Sequence, residues 1–408
     1  MEGFMINERM RGLGAKRSAI RDIFEYGLKR KAEIGENAVF DFSLGNPSVE
    51  PPAEVNRELS RLIKELPSVA LHGYTSAAGA LNVRAAVADY LTKAHGFAVS
   101  ADNLYMTVGA AAALTCTLNA LVTRGEEVIL LSPYFPEYRV FAEGAGATVV
   151  EVECRVGDFH PNALAIKNAI NERTAAIIIN SPNNPTGAVY TEAELCEIAE
   201  ILRKAEDKFG HPIYLIADEP YRELVFGGAV VPFIPKIYRN TVVCYSFSKS
   251  LSIPGERIGF ALVPDGVSEA RDVYNAIAGA GRSLGYVCAP SLLQRMLPAV
   301  LGLTADVSVY GENRRILYSA LSKMGFSVVP PDGAFYMFVK SPVENDTEFC
   351  EAAKKYELLL VPSDSFGISG YVRISYCVDT EMIRRSLPAF EGLAKEFGLL
   401  GEENGKQA

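Results

Sequence analysis

The sequence predicts an α/β protein: a mostly parallel seven-stranded sheet with helices on both faces, plus a smaller α+β domain. Three observations predict it. From about residue 50 to residue 264, short β-rich runs alternate with helical stretches. Most runs are continuously apolar, as in strands covered on both faces. After about residue 300 the order changes to a long helix, short strands and a closing helix. Strand–helix alternation implies crossover connections and therefore parallel strands.

The elements follow in order. A helix is predicted over residues 18–34, then the apolar segment VFDFSLGNP. The seven runs are LYMTVG (104–109), EEVILLSP (126–133), ATVVEVE (147–153), TAAIIINSP (174–182), PIYLIADEP (212–220), TVVCYSFS (241–248) and RIGFALVP (257–264). Helical stretches such as TEAELCEIAEILRKAEDKFG (191–210) separate several of them. RIGFALVP follows its predecessor after a short loop, so its direction in the sheet stays open. Beyond residue 300 come the helical YGENRRILYSALSKMG and the strands FSVVPP, AFYMFVK and YVRISYC. The expected division is an N-terminal segment, 1–48, joining the small domain; a large domain, 49–300; and a small C-terminal domain, 301–408.

Composition narrows the function. The 408 residues are 49% hydrophobic, enough for two or three core units. A net charge of -9 without a basic block argues against nucleic acid or an anionic membrane as partner. No run of 18 apolar residues spans a membrane, and MEGFMINERMRGLGAKR lacks a signal peptide's apolar core. A cytoplasmic protein is the expectation. The seven cysteines are scattered with no C-x-x-C pair, and the four histidines share no helical register, so neither a disulfide framework nor a metal site is expected.

In such folds, ligands bind at the carboxyl ends of the strands. Gly109, Ala110 and Ala111 end one run and open a helix, whose free amides suit a phosphate; a plain turn is the other reading. Asn184 lies in SPNNPTG, a turn that could fix its amide or simply be a loop of turn formers. Asp218 ends a buried run and needs a partner, either a helix start or a cationic ligand, and Tyr221 reaches the same space.

Lys249 sits in SFSKSLSIPGERIGF among Ser246, Ser248, Ser250 and Ser252, with Arg257 eight residues on. The S-x-x-K pattern of serine acyl enzymes also needs S-D-N and K-T-G; this chain has SDS at 363–365 and no K-T-G. A lysine that attacks a carbonyl must be partly neutral, which a desolvated pocket and nearby cations favour. An amine, an acid, a phenol, an amide, an arginine and phosphate donors at one sheet edge together match pyridoxal phosphate.

NPTG, DEPY and SFSKSLSIPGERIG, in this order and at these distances, resemble the fold-type-I aminotransferases of the aspartate aminotransferase superfamily. The likeness runs from FSLGNPS to YVRISYC. It implies a pyridoxal-phosphate enzyme that moves an amino group from an L-amino acid to a 2-oxo acid such as 2-oxoglutarate. By this resemblance Lys249 carries the cofactor as a Schiff base and shuttles the proton. Asp218 pairs with the ring nitrogen, Tyr221 and Asn184 bond the ring oxygen, and Phe135 stacks on the ring. Ser246, Ser248 and Arg257, with the 109–111 turn, bind phosphate. Tyr74 reaches the neighbouring subunit's phosphate, which implies a homodimer with shared sites. Arg373 takes the substrate α-carboxylate, beside Gly45 and Asn184. The family often has a hydroxyl where this chain has Ala111, so backbone amides must serve there. Arg282 lies where dicarboxylate enzymes hold a second basic residue, but its spacing to Pro290 does not fit cleanly, and a solvated turn residue is the alternative. A β-lyase on the same fold would share every cofactor residue.

Overall fold

The computed structural model describes residues 6–15 and 19–400. Residues 1–5, 16–18 and 401–408, at the edges of the first and last predicted segments and including the predicted helix start Ser18, lie outside the described residues.

In chain order the strands are β1 (Phe40–Asp41), β2 (Leu104–Thr107), β3 (Glu127–Ser132), β4 (Thr148–Glu153), β5 (Thr174–Asn180), β6 (Tyr214–Asp218), β7 (Thr241–Ser246), β8 (Gly259–Leu262), β9 (Val328–Val329), β10 (Tyr336–Lys340), β11 (Leu358–Leu359), β12 (Val361–Pro362) and β13 (Tyr371–Ser375). Each of the seven predicted runs is a strand of one sheet, ordered β2-β8-β7-β6-β5-β3-β4. β8 is antiparallel to both β2 and β7, which settles the direction of RIGFALVP. The other neighbouring pairs are parallel.

β3, β5 and β7 are buried along their whole length, which is why their sequences are apolar without alternation. Ile177 and Ile179 pack into one core and Ala176 and Ile178 into another, one on each face of the sheet. The helix Glu192–Phe209 is bounded by its own sequence. Thr191 and Glu194 form a capping box, and Gly210 ends it at φ 75.

A second, four-stranded antiparallel sheet runs β12-β13-β10-β9, beside the parallel pair β1-β11. Through β1 and the helix Ala19–Ile34 the N-terminal segment packs on these late strands: Ile23 and Val39 share a cluster with Phe338 and Leu359. The helix Glu8–Ala15 was not foreseen; none of its residues is buried, so it lacks the apolar contacts that mark most helices in a sequence.

Candidate active site

A cavity of about 290 Å³ opens at the carboxyl ends of β5, β6 and β7, under the start of the helix Ala110–Leu121. One corner is rich in hydrogen-bond donors. Gly109 caps the helix at φ 84, and its lack of a side chain leaves room for Arg257: a Cβ there would lie 2.7 Å from the guanidinium Nη2. The first amides of that helix have no partner within it. Ser246 Oγ and Ser248 Oγ lie 2.7 Å apart in the same corner. Amides, two hydroxyls and a guanidinium are a donor set suited to a phosphate dianion.

Asp218 ends β6 and is buried. Tyr138 donates its hydroxyl to Oδ2, while Oδ1 has no partner among the described residues. Burial pushes this carboxyl up to about 7; the Tyr138 bond opposes the rise and nearby Glu219 adds to it. A buried carboxylate with one oxygen unused fits a protonated ring nitrogen. Asn180 braces the region: its Nδ2 donates to the Asp218 carbonyl at 2.9 Å, and its Oδ1 accepts from Asn184 N at 2.8 Å. The peptide Asn184–Pro185 is cis.

Lys249 follows β7, and its Nζ donates to Gly45 O at 2.6 Å. Desolvation lowers its pKa to about 8; Cys377 opposes the shift, and Arg257 and Arg373 push the same way as burial. Half of the amine is therefore neutral near pH 8, against about one part in 300 for an ordinary lysine.

Arg373 comes from β13 and is buried between the rings of Tyr336, 4.7 Å away, and Phe366, 5.1 Å away. Its Nη1 donates to Asn184 Oδ1 at 3.1 Å and its Nη2 to Ser43 O at 2.6 Å. Its Nε has no partner among the described residues, and burial pulls its pKa down. The Tyr336 hydroxyl lies 3.0 Å from that of Tyr221. Gly45 must lack a side chain, because a Cβ would fall 1.9 Å from Tyr336 Oη.

The structure brings Gly45, Ala110, Ala111, Phe135, Asn184, Asp218, Tyr221, Ser246, Ser248, Lys249, Arg257 and Arg373 around this one cavity, with Gly109 at its edge. Two predicted residues are not there. Tyr74 is 95% exposed, and Arg282 is exposed at the end of the helix Ala270–Ser283; neither lines the cavity of its own chain. Sequence reasoning missed Tyr138, Asn180, Tyr336 and Ile20, which also line it. Asn180 carried a signal, as the polar end of an otherwise apolar strand. Tyr138 and Tyr336 read as ordinary core aromatics.

A family model described as aminotransferase class I and II matches residues 37–390. The aspartate aminotransferase of Pyrococcus horikoshii is 31% identical over 399 residues, 95% of this chain and 97% of that protein. The aspartate/prephenate aminotransferase of Thermus thermophilus is 29% identical over 388 residues, 93% of this chain and 98% of that protein. Among solved structures, an amino transferase from Eubacterium rectale superposes with a TM-score of 0.95 at 52% identity, over 97% of this chain and 100% of that one. The chain thus belongs to the class I and II aminotransferases, as a pyridoxal-phosphate-dependent transaminase of the aspartate aminotransferase superfamily.

Proposed function

We propose that this transaminase passes the amino group of an L-amino acid to a 2-oxo acid such as 2-oxoglutarate in a ping-pong cycle. One observation carries the reading: a single cavity holds a lysine of lowered pKa, and a buried carboxylate oxygen and a buried guanidinium Nε that have no partner among the described residues. When bound, pyridoxal phosphate supplies an aldehyde for the amino group and a protonated ring that accepts the electron pair of the broken Cα–H bond. The amides of Ala110 and Ala111, with Ser246, Ser248 and Arg257, would hold its phosphate. Asp218 Oδ1 would accept the ring N–H, Tyr221 and Asn184 would bond the phenolic oxygen, and Phe135 would cover the ring. Arg373 clamps the substrate α-carboxylate beside Gly45 and Asn184. Lys249 Nζ would take the proton from the substrate Cα and hold it for return.

The names of the Pyrococcus and Thermus relatives support an acidic amino acid as donor. Arg282 would then meet the distal carboxylate across the interface of a homodimer, as Tyr74 would meet a phosphate; both are exposed on their own chain. The apolar part of the lining favours a second reading. Ile20, Leu44 and Phe141 line the cavity, which suits a neutral or aromatic side chain.

Single half-reactions test both. Holoenzyme mixed with a panel of L-amino acids should lose its yellow colour, release a 2-oxo acid and regain colour with 2-oxoglutarate. Ammonia and pyruvate as products would instead mark a lyase. Arg282→Ala should weaken turnover of aspartate and glutamate but not of phenylalanine; equal activity on all three sinks the acidic reading.

A further inference from the structure

A second cavity, of about 330 Å³, lies on the other face of the large sheet. Ile216 packs on the face that Asp218 shares, while Leu215 and Ala217 pack on the opposite one. Glu219 continues the opposite set and lines the second cavity beside Val243 and Tyr245 of β7. It is only 2% exposed. Arg222 pairs with its Oε2, but its Oε1 has no partner among the described residues. Glu223 lines the same cavity. Its Oε1 accepts from Tyr245 Oη at 2.8 Å, and its buried Oε2 is likewise unpartnered. Burial raises the pKa of both carboxyls.

Among the described residues Arg222 pairs with Glu219 alone, and Glu223 has the Tyr245 hydroxyl instead of a cation. Arg222 also donates Nη1 to the carbonyl of Val231 and Nη2 to that of Pro232, at 3.3 and 3.4 Å. Two buried acceptors are left over, an arrangement that folded proteins rarely leave unsatisfied. The other walls carry the rings of Tyr90, Phe233, Phe247 and Phe260, with the imidazole of His95 stacked on Phe233 at 4.1 Å. A molecule that carries donors on an apolar body would meet both the acceptors and the rings. A bare metal ion fits less well, since no group of three or more His, Cys, Asp or Glu side chains converges among the described residues. The rim includes Val230, 76% exposed, beside Gly227 and Gly228, both at positive φ.

We propose that this cavity binds a small organic ammonium ion, its N–H groups on Glu219 Oε1 and Glu223 Oε2 and its hydrocarbon against the aromatic walls. The site is independent of the cofactor cavity but one residue from it. Glu219 raises the pKa of Asp218, so an ammonium beside Glu219 favours the charged form of Asp218.

N-Methylphenethylamine is the probe, because a secondary amine cannot form an imine with the cofactor aldehyde. Calorimetry on holoenzyme should show one site per chain. Binding should persist in Lys249→Ala, weaken at least tenfold in Glu223→Gln, and weaken at least tenfold for the uncharged ether (2-methoxyethyl)benzene. Val230→Trp is a second variant that narrows the rim without touching either carboxylate; binding should fall in it too. No binding at millimolar amine, equal binding of the ether, loss of binding in Lys249→Ala, or unchanged binding in Glu223→Gln or Val230→Trp overturns the proposal.

Discussion

The active-site cavity has two halves built in different ways. One is the edge of the large sheet, where Asn180, Asp218 and Ser246 each end a strand and Lys249 follows three residues on. The other comes from the chain's extremes, with Ser43 and Gly45 meeting Tyr336 of β10 and Arg373 of β13. The first half rests on continuous parallel pairing. Inside the cavity the second meets it through side chains, Lys249 on the Gly45 carbonyl, Arg373 on Asn184 and the Tyr336 hydroxyl on that of Tyr221. The sheet edge therefore suits a permanent guest, and the second half a transient one. Mutations in the two halves should separate in kinetics.

Lys249→Ala should have the largest effect. Loss of the proton-transfer group alone costs about 10²- to 10⁴-fold in kcat. The purified variant should also form no borohydride-trapped adduct with the cofactor. Retention of a covalent adduct at another residue would place the chemistry outside the sheet edge.

Next comes a matched pair. Asp218→Asn removes the anion of the first half; kcat should fall about 100-fold and cofactor affinity should drop with it, as a buried charge partner of about 2–3 kcal/mol is lost. Arg373→Lys removes the planar fork of the second half. It should lower kcat/KM about 100-fold through KM while cofactor affinity stays the same. Release of cofactor by Arg373→Lys would break the division between the halves.

The same division explains what was legible in the sequence. The sheet-edge residues sit at the ends of apolar runs, so local pattern exposes Asp218, Asn184 and Lys249. The seven strands read clearly for the same reason. β1, β11 and β12 are two residues each, too short to carry a period. Arg373 reaches Ser43 across 330 positions, and no local rule predicts that contact; only the family resemblance named it. Tyr138 lies 80 positions from Asp218, and its ring is buried like any core tyrosine.

A smaller effect concerns pH. The Lys249 pKa is lowered to about 8, so the folded state favours the neutral amine. In the apoenzyme, the neutral fraction rises about tenfold from pH 7 to pH 9 and then levels off. The rate at which apoenzyme captures pyridoxal phosphate should follow that curve in stopped-flow absorbance. An ordinary lysine would give about a hundredfold rise over the same range with no plateau. The sign reverses for stability: keeping Lys249 charged in the fold costs free energy below pH 8, and that cost fades as pH rises from 8 toward 10.5.

The smallest effect should fall at the seam between the halves. Cys377 Sγ lies 3.3 Å from the carbonyl of Asn46 and 3.7 Å from that of Leu44, the residues flanking Gly45. Burial pushes its pKa up to about 11, so at neutral pH it is a thiol with one proton to donate. It steadies the turn whose Gly45 carbonyl holds Lys249, without touching the cofactor corner. A weak S–H donor contributes about 0.5–1 kcal/mol. Cys377→Ala should therefore raise KM for the amino acid about threefold, with kcat and cofactor affinity nearly unchanged, and Cys377→Ser should restore KM because a hydroxyl can make the same bond. If Ala and Ser behave alike, the thiol only fills space, and the turn at Gly45 is held without it, by Lys249 on the Gly45 carbonyl and Arg373 on that of Ser43.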